Sequence, residues 1–191
     1  MRVCIEGNIG AGKSTLLSRL SKEGYPIHQE PVEEWKEWLK LFYSDKKRWA
    51  FGMQMRVLAS MLEYPNACVV ERSTSSTRHV FAQVLYNQGD LSEKEFQVYK
   101  KYFEATAWSP DVLVYVQVNP DTCFERIQGR ARDGEECIDI AYVKKLDFHY
   151  GNLIRYATCP VHVVDGNRSQ DDVFSDVLEI VQTYLRNRSA S

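Results

Sequence analysis

Long apolar runs, paired cysteines and a surplus of charge of either sign are all missing from this 191-residue chain. No stretch approaches the ~20 apolar residues of a membrane-spanning helix, which argues against an integral helical membrane protein. The five cysteines, Cys4, Cys68, Cys123, Cys137 and Cys159, are odd in number, scattered and never in C-x-x-C spacing. Neither a disulfide framework nor a zinc site is expected, and a reducing compartment fits best, the cytoplasm with the nucleus not excluded. With 24 basic against 26 acidic residues, there is no long basic face for a nucleic-acid backbone and no polybasic cluster for anionic lipid. The expected partner is a small molecule, with no nucleic acid and no membrane. Internal repeats, low-complexity tracts and linkers are also lacking, so residues 1–191 read as one domain of a size that builds one core. A strand that starts at Arg2 leaves no room for a signal or transit peptide.

What is present is an alternation. Short β-branched runs, RVCIEG, YPIHQEP, ACVVERS, DVLVYVQV and PVHVVDG, are separated by helical patterns, which predicts an α/β fold with a parallel five-stranded sheet flanked by helices. VLVYVQV is apolar at nearly every position, as in a strand covered on both faces. Ser92-Glu93-Lys94-Glu95 reads as a capping box opening a helix whose Phe96, Tyr99, Tyr102 and Phe103 form one stripe. A last helix runs from about Ser169, with Val173, Val177, Ile180, Val181, Tyr184 and Leu185 on one face.

After the first strand comes Gly7-Asn8-Ile9-Gly10-Ala11-Gly12-Lys13-Ser14, a match to GxxxxGK[ST] followed by Thr15 and an amphipathic Leu16, Leu17, Leu20 helix. Its glycines let backbone N–H groups face phosphates, and the helix N-terminus adds partial positive charge. Lys13 would reach the β- and γ-phosphates, and the Ser14 hydroxyl would ligate Mg2+. ATP is the expected phosphate donor. The nature of the acceptor must come from elsewhere. A neutral hydroxyl has to lose a proton and calls for a carboxylate, whereas a phosphate acceptor calls for a cationic clamp. Glu30 ends the second strand, where ligands gather in open parallel sheets, and would lie near Lys13 if the two strands are close. Glu33 and Glu34 read as acids at a helix N-terminus with Pro31 at its first position, a reading open to Glu30 as well. Trp35 offers a flat surface to a nucleobase or sugar.

These pieces, with the Tyr-x-Asp-x-x-x-Trp-Ala of YSDKKRWA, the Gln of MQM, the ERS at Glu71–Ser73 and ERIQGRAR, resemble the deoxyribonucleoside kinase family over nearly the whole chain. The resemblance implies a P-loop kinase fold with an arginine-rich lid and a homodimer. It implies Glu30 as general base for the sugar 5'-hydroxyl, Arg72 as the arginine beside that base and the transferred phosphate, and Glu71 as the acid that helps hold Mg2+. Gln54 matches the base-reading glutamine and Phe81 the aromatic that stacks on the base, with Trp35 on the far side. Tyr43 and Glu135 match the pair that bonds the 3'-hydroxyl, Glu136 being the alternative because DGEE differs from the usual lid sequence. Arg126, Arg130 and Arg132 match the lid arginines, and VVDGN falls where the adenine-side loop lies.

The purine-assisting arginine and aspartate of the deoxycytidine kinase pattern align here with Met61 and Thr77. An apolar Met61 near the base suits the methyl of thymine, so a preference for thymidine and deoxycytidine is expected. Gly52 stands where the insect-type pattern has proline. The nearest rival is thymidylate kinase, but Gln29 before Glu30 and Val-Glu-Glu-Trp after Pro31 lack its arginine and glycines. A nucleotide switch would show NKxD or DxxG, and neither occurs.

Overall fold

A computed structural model describes residues 1–65, 68–130 and 135–185. Among these, five strands, β1 (Arg2–Glu6), β2 (Ile27–His28), β3 (Cys68–Glu71), β4 (Val112–Gln117) and β5 (Val161–Asp165), form one parallel sheet in the order β2-β3-β1-β4-β5. The α/β expectation holds. The sheet is covered on both sides, and the alternation of side chains along β1 distributes them. Val3 and Ile5 join a cluster with Leu16, Leu17 and Leu20 of α1 (Lys13–Lys22), whereas Cys4 faces the opposite cluster. The second cluster holds Val57, Leu58 and Met61 of α3 (Lys46–Met61), a helix that follows α2 (Lys36–Ser44) directly. Strands buried on both faces must be apolar at successive positions, which is why β1, β3 and β4 read as near-continuous hydrophobic runs.

Local signals set the helix boundaries. Asp45 caps α3 by accepting from the Arg48 amide, and Ser92 with Glu95 closes the expected capping box of α6 (Glu93–Thr106). The α6 stripe is narrower than its pattern. Phe96 and Tyr99 are buried, Phe103 packs at the margin, and Tyr102 is 54% exposed because it sits a turn-third away from the core line. Between β3 and α6 the chain runs as α4 (Thr74–Ser76), a π-helical segment (Thr77–Ala82) and α5 (Gln83–Gln88). The wide turn brings Thr77 and Phe81 into one cavity lining. After β4 come α7 (Pro120–Arg130), a 3-10 turn (Glu135–Cys137) and α8 (Ile140–Arg155), whose N-cap Asp139 accepts from the Tyr142 amide. The last helix, α9 (Gln170–Leu185), buries Val173, Val177 and Val181 as expected and adds Phe174.

Two differences from the sequence pattern bear on the site. β2 keeps only Ile27 and His28 of the run YPIHQEP, and β3 lies between β2 and β1. The chain from Gln29 to Trp35 therefore crosses the carboxyl end of the sheet as a turn, and α2 starts only at Lys36, with Glu37 as the acid in its first turn. Glu33 and Glu34 lie in the turn ahead of the helix, and Glu34 pairs with Arg56 of α3 at 3.0 Å.

Candidate active site

The loop from Gly7 to Gly12 curls at the carboxyl end of β1. Gly10 (φ +82°) is forced to be glycine twice over, since its φ is left-handed and an added Cβ would lie 2.4 Å from the Cys123 carbonyl oxygen. Gly12, also left-handed, passes the chain into α1. Lys13 is buried, and its Nζ donates to the Asn8 carbonyl at 3.0 Å, inside its own loop. The Asn8 amide in turn donates to the Val143 carbonyl of α8 at 2.9 Å, while its Oδ1 accepts from the Ile9 amide. Asn8 thus ties the loop to α8. Ile9, Gly10, Gly12, Lys13, Ser14 and Thr15 face a cavity of about 350 Å³, and Ala11 borders a second one. Burial lowers the Lys13 ammonium to about 8, with Arg72 acting in the same direction against the pull of Glu71.

β3 ends in Glu71, whose carboxylate accepts from Ser14 Oγ at 3.0 and 3.2 Å and lies 4.0 Å from Lys13 Nζ. The next residue, Arg72, turns into the left-handed region (φ 64°), the one non-glycine residue of positive φ among the described residues. A bulky residue held there is strained, and such strain gathers at functional sites. The turn sends the Arg72 side chain back beneath the phosphate loop. Its Nη1 donates to the Gly7 carbonyl at 3.0 Å and to the Tyr150 hydroxyl, its Nε stands 2.8 Å from Glu30 Oε1, and its guanidinium lies 4.6 Å from the Phe81 ring centre. Glu30 therefore reaches the phosphate loop across the intervening strand, through Arg72 rather than beside β1. Burial pushes the Glu30 carboxyl above the ordinary carboxylate range, and Arg72 draws it partly back. Burial opposes the Arg72 charge, but Glu30, Tyr150 and Glu6 more than offset it, so the guanidinium holds its proton more tightly than usual.

The same cavity extends to α3. Gln54, Trp35, Phe81, Tyr43 and Glu135 all line it. Among the described residues the Gln54 Oε1 and Trp35 Nε1 are buried with no hydrogen-bond partner; a buried polar atom left unpaired costs about 1–3 kcal/mol, a cost that a bound donor or acceptor would remove. Burial, with Tyr142 and Glu135 nearby, raises the Tyr43 phenol well beyond its ordinary range, so it stays a neutral hydrogen-bonding group. Glu135 is held in a bidentate pair by Arg130, at 2.7 and 2.5 Å. The two residues expected on the sugar and on the phosphates meet each other here.

Met61 is a correction. It has no exposed surface and packs in the core beside the Trp108 indole, which donates to the Met61 carbonyl at 2.8 Å. Gln54 sits two turns earlier on α3, and the helix carries Met61 beyond the cavity into the interior. Met53 and Val57, which flank Gln54, supply the apolar lining instead, and Thr77 joins them with its hydroxyl donated to the Thr74 carbonyl at 2.6 Å. Helical spacing from Gln54 could have found Val57 in the sequence; Tyr142, also in the lining, carried no signal. Arg126 and Arg130 stand at the second cavity, about 270 Å³, on the far side of the phosphate loop, with Gly166 and Arg168 from the VVDGN segment and beyond. Arg126 Nη1 is 3.5 Å from the Gly10 carbonyl. Arg132 lies outside the described residues, and nothing is described of the Glu136 side chain.

A phosphate loop, an acid–arginine pair and an amide acceptor unpaired among the described residues share one cavity, and a family model described as Deoxynucleoside kinase matches residues 3–186. The chain belongs to the deoxynucleoside kinase family. It is thus a kinase, a phosphotransferase of P-loop fold. The chain is similar to a protein of Invertebrate iridescent virus 3 named only as a kinase, at 32% identity over 96% of this chain and 97% of that protein. It is 31% identical to the thymidine kinase of Ictalurid herpesvirus 1, over 93% of this chain and 84% of that one. Among solved structures, a deoxyadenosine kinase from M. mycoides with dCMP and dCDP bound superposes with a TM-score of 0.85 at 26% identity, covering 96% of this chain and 99% of that one. In this deoxynucleoside kinase the sheet order and the loop after β1 are those of the P-loop kinase fold.

Proposed function

We propose that this deoxynucleoside kinase transfers the γ-phosphate of ATP to the 5'-hydroxyl of a deoxynucleoside in nucleotide salvage, supplying DNA precursors, with thymidine and deoxycytidine preferred over purines. The observation that carries the reading is the ion pair between the partly exposed Glu30 and the buried Arg72, at 2.8 Å, in the cavity that Lys13 and Ser14 also line. Glu30 takes the proton of the 5'-hydroxyl as the bond to phosphorus forms, and its raised proton affinity suits a base. Arg72 meets the charge that develops on the transferred phosphoryl group, and Lys13 holds the donor phosphates. The cavity's cations among the described residues are Lys13, Arg72 and Arg130, each already set against a carbonyl or a carboxylate. Among the described residues no further cation of the cavity is left as a separate clamp for a monophosphate acceptor, which favours a nucleoside as acceptor.

Ser14 Oγ and the Glu71 carboxylate, 3.0 Å apart, make a hard-oxygen pair suited to Mg2+. Among the described residues no three His, Cys, Asp or Glu side chains gather as a cage, so the ion would rest on these two and on donor phosphates. Bound there, Mg2+ supplies neutralisation of phosphate charge. At the acceptor end Gln54 reads the base between Phe81 and Trp35, and Tyr43 with Glu135 meets the 3'-hydroxyl. Arg126, Arg130 and Arg132 act as the lid. The pyrimidine preference rests on the apolar Met53 and Val57 around Gln54, with Thr77, in place of the purine-assisting aspartate, in the same lining. The five free thiols support a reducing intracellular setting, and no helix among the described residues is long and apolar enough to cross a membrane. We also take 1–191 as one domain, paired as a homodimer through the outer face of α6.

Initial rates with ATP, Mg2+ and each of the four deoxynucleosides, with thymidine monophosphate as competing acceptor, test this reading. Thymidine and deoxycytidine should give the highest kcat/KM. A purine nucleoside in first place overturns the preference, and thymidine monophosphate outpacing thymidine overturns the hydroxyl acceptor.

A further inference from the structure

Beneath the phosphate loop lies a further carboxyl group, fully buried, that the transfer chemistry does not use. Glu6, the last residue of β1, has no exposed surface. Its Oε1 accepts from Ser73 Oγ at 2.7 Å and its Oε2 from the Tyr150 hydroxyl at 3.4 Å. A fully buried acid in a small enzyme is unfavourable unless its oxygens are bonded; the Ser76 side chain adds a contact, and Ser73 and Tyr150 identify what the acid is there to hold. Both lead to Arg72. Ser73 is its chain neighbour and caps α4, accepting from the Ser76 amide at 3.4 Å. Tyr150, also without exposed surface, accepts from Arg72 Nη1. The Tyr150 ring is further fixed, stacked on Tyr115 with centroids 5.7 Å apart and edge-on to Phe81 at 6.4 Å.

We infer that Glu6 and Tyr150 are positioning residues for phosphoryl transfer, a chain Glu6–Tyr150–Arg72–Glu30 that sets the catalytic arginine and, through it, the base. The carboxylate grips Arg72 from both sides, its backbone by way of Ser73 and its guanidinium by way of the Tyr150 hydroxyl. Arg72 needs such a grip because its backbone sits at φ 64°, a conformation an arginine leaves unless neighbours hold it. With Nη1 committed to Gly7 and Tyr150 and Nε to Glu30, Nη2 is the nitrogen left among the described residues to meet a phosphate, and the guanidinium plane is set before substrate arrives. Preorganised charge of this kind acts in the transition state more than in binding. Tyr150 also lies on α8, the helix that takes a hydrogen bond from Asn8 of the phosphate loop, so the same helix braces the donor loop and the arginine. Glu6 belongs to no motif of the sequence, although a carboxylate closing the apolar run VCIE parallels Glu71 closing VVE.

The inference rests on the proposed transfer to a nucleoside, and the experiment separates the two. In Tyr150→Phe the ring stays and the hydroxyl goes. With thymidine and ATP, kcat should fall about 10- to 100-fold, while both KM values stay within about threefold and the thermal midpoint within a few degrees. Glu6→Gln should fall in the same sense, and the double variant should lose no more than about twofold beyond the worse single one, because the residues act in series. If Glu6→Gln fails to fold, Tyr150→Phe alone decides. A Tyr150→Phe enzyme with kcat within twofold of the parent, or one whose loss appears as raised KM, overturns the inference, as does a double variant whose losses multiply. A parent enzyme that phosphorylates no deoxynucleoside overturns the functional reading instead.

Discussion

At the scale of single residues, the site is governed by how few of its charges face water. Lys13, Glu71 and Arg72 are each no more than 5% exposed, so each charge depends on its neighbours, and small changes in partner translate into large changes in function. Glu30 is the clearest case. Replacing it by Gln keeps the shape and a hydrogen bond to Arg72 but removes the proton acceptor, so turnover should drop roughly 10²- to 10⁴-fold with nucleoside KM within a few-fold. The pH profile gives an independent reading. Only the carboxylate form accepts the proton, so activity is lost as pH falls through the Glu30 pKa. Because burial raises that pKa, the acid limb of kcat/KM should lie above the ordinary carboxylate range, and the Gln variant should lack it. An acid limb at the same pH in both enzymes would assign the titration to another group.

At the scale of elements, function is concentrated where strands end. Glu6, Glu30 and Glu71 close or follow β1, β2 and β3, and the phosphate loop leaves β1. Parallel strands point their carboxyl ends the same way, so each strand delivers one acidic or loop residue to one rim. The loop between β1 and α1 tolerates little change. In Gly10→Ala the Cβ meets the Cys123 carbonyl at 2.4 Å and the backbone is left-handed, so we expect a loss of roughly 1–3 kcal/mol in urea unfolding together with loss of ATP binding. Gly24, also left-handed but with nothing within 4 Å of its Cβ position, is the control: alanine there should leave ATP binding intact.

At the scale of the whole molecule, the outer face of α6 stands out. Val98 is 45% and Tyr102 54% exposed, four residues apart on the side turned from the core. An apolar stripe of this kind is suited to a second copy of the chain. Sedimentation equilibrium at micromolar concentration should give twice the mass of the chain, and Tyr102→Glu should return it to the monomer with the fold retained by circular dichroism. A parent protein that sediments as a monomer would leave α6 as plain surface.

The amino-acid order by itself determined the layout: which runs become strands, because β-branched apolar residues recur at intervals; where α6 starts, because Ser92 and Glu95 make a capping box; and that a phosphate loop is present, because its motif is contiguous. Those are local properties, settled within a few residues by backbone geometry and hydrogen bonding. Tertiary structure decided what stands beside what. Met61 and Gln54 lie on one helix, yet only Gln54 reaches the cavity, since depth in the core depends on packing and not on spacing. Glu30 meets Arg72 because β3 is threaded between β2 and β1. Glu6 meets Tyr150 across 144 positions of sequence. Pairings of that range arise only when the sheet order and the helix packing are set, because burial of charge is favourable only where the partner is already in place.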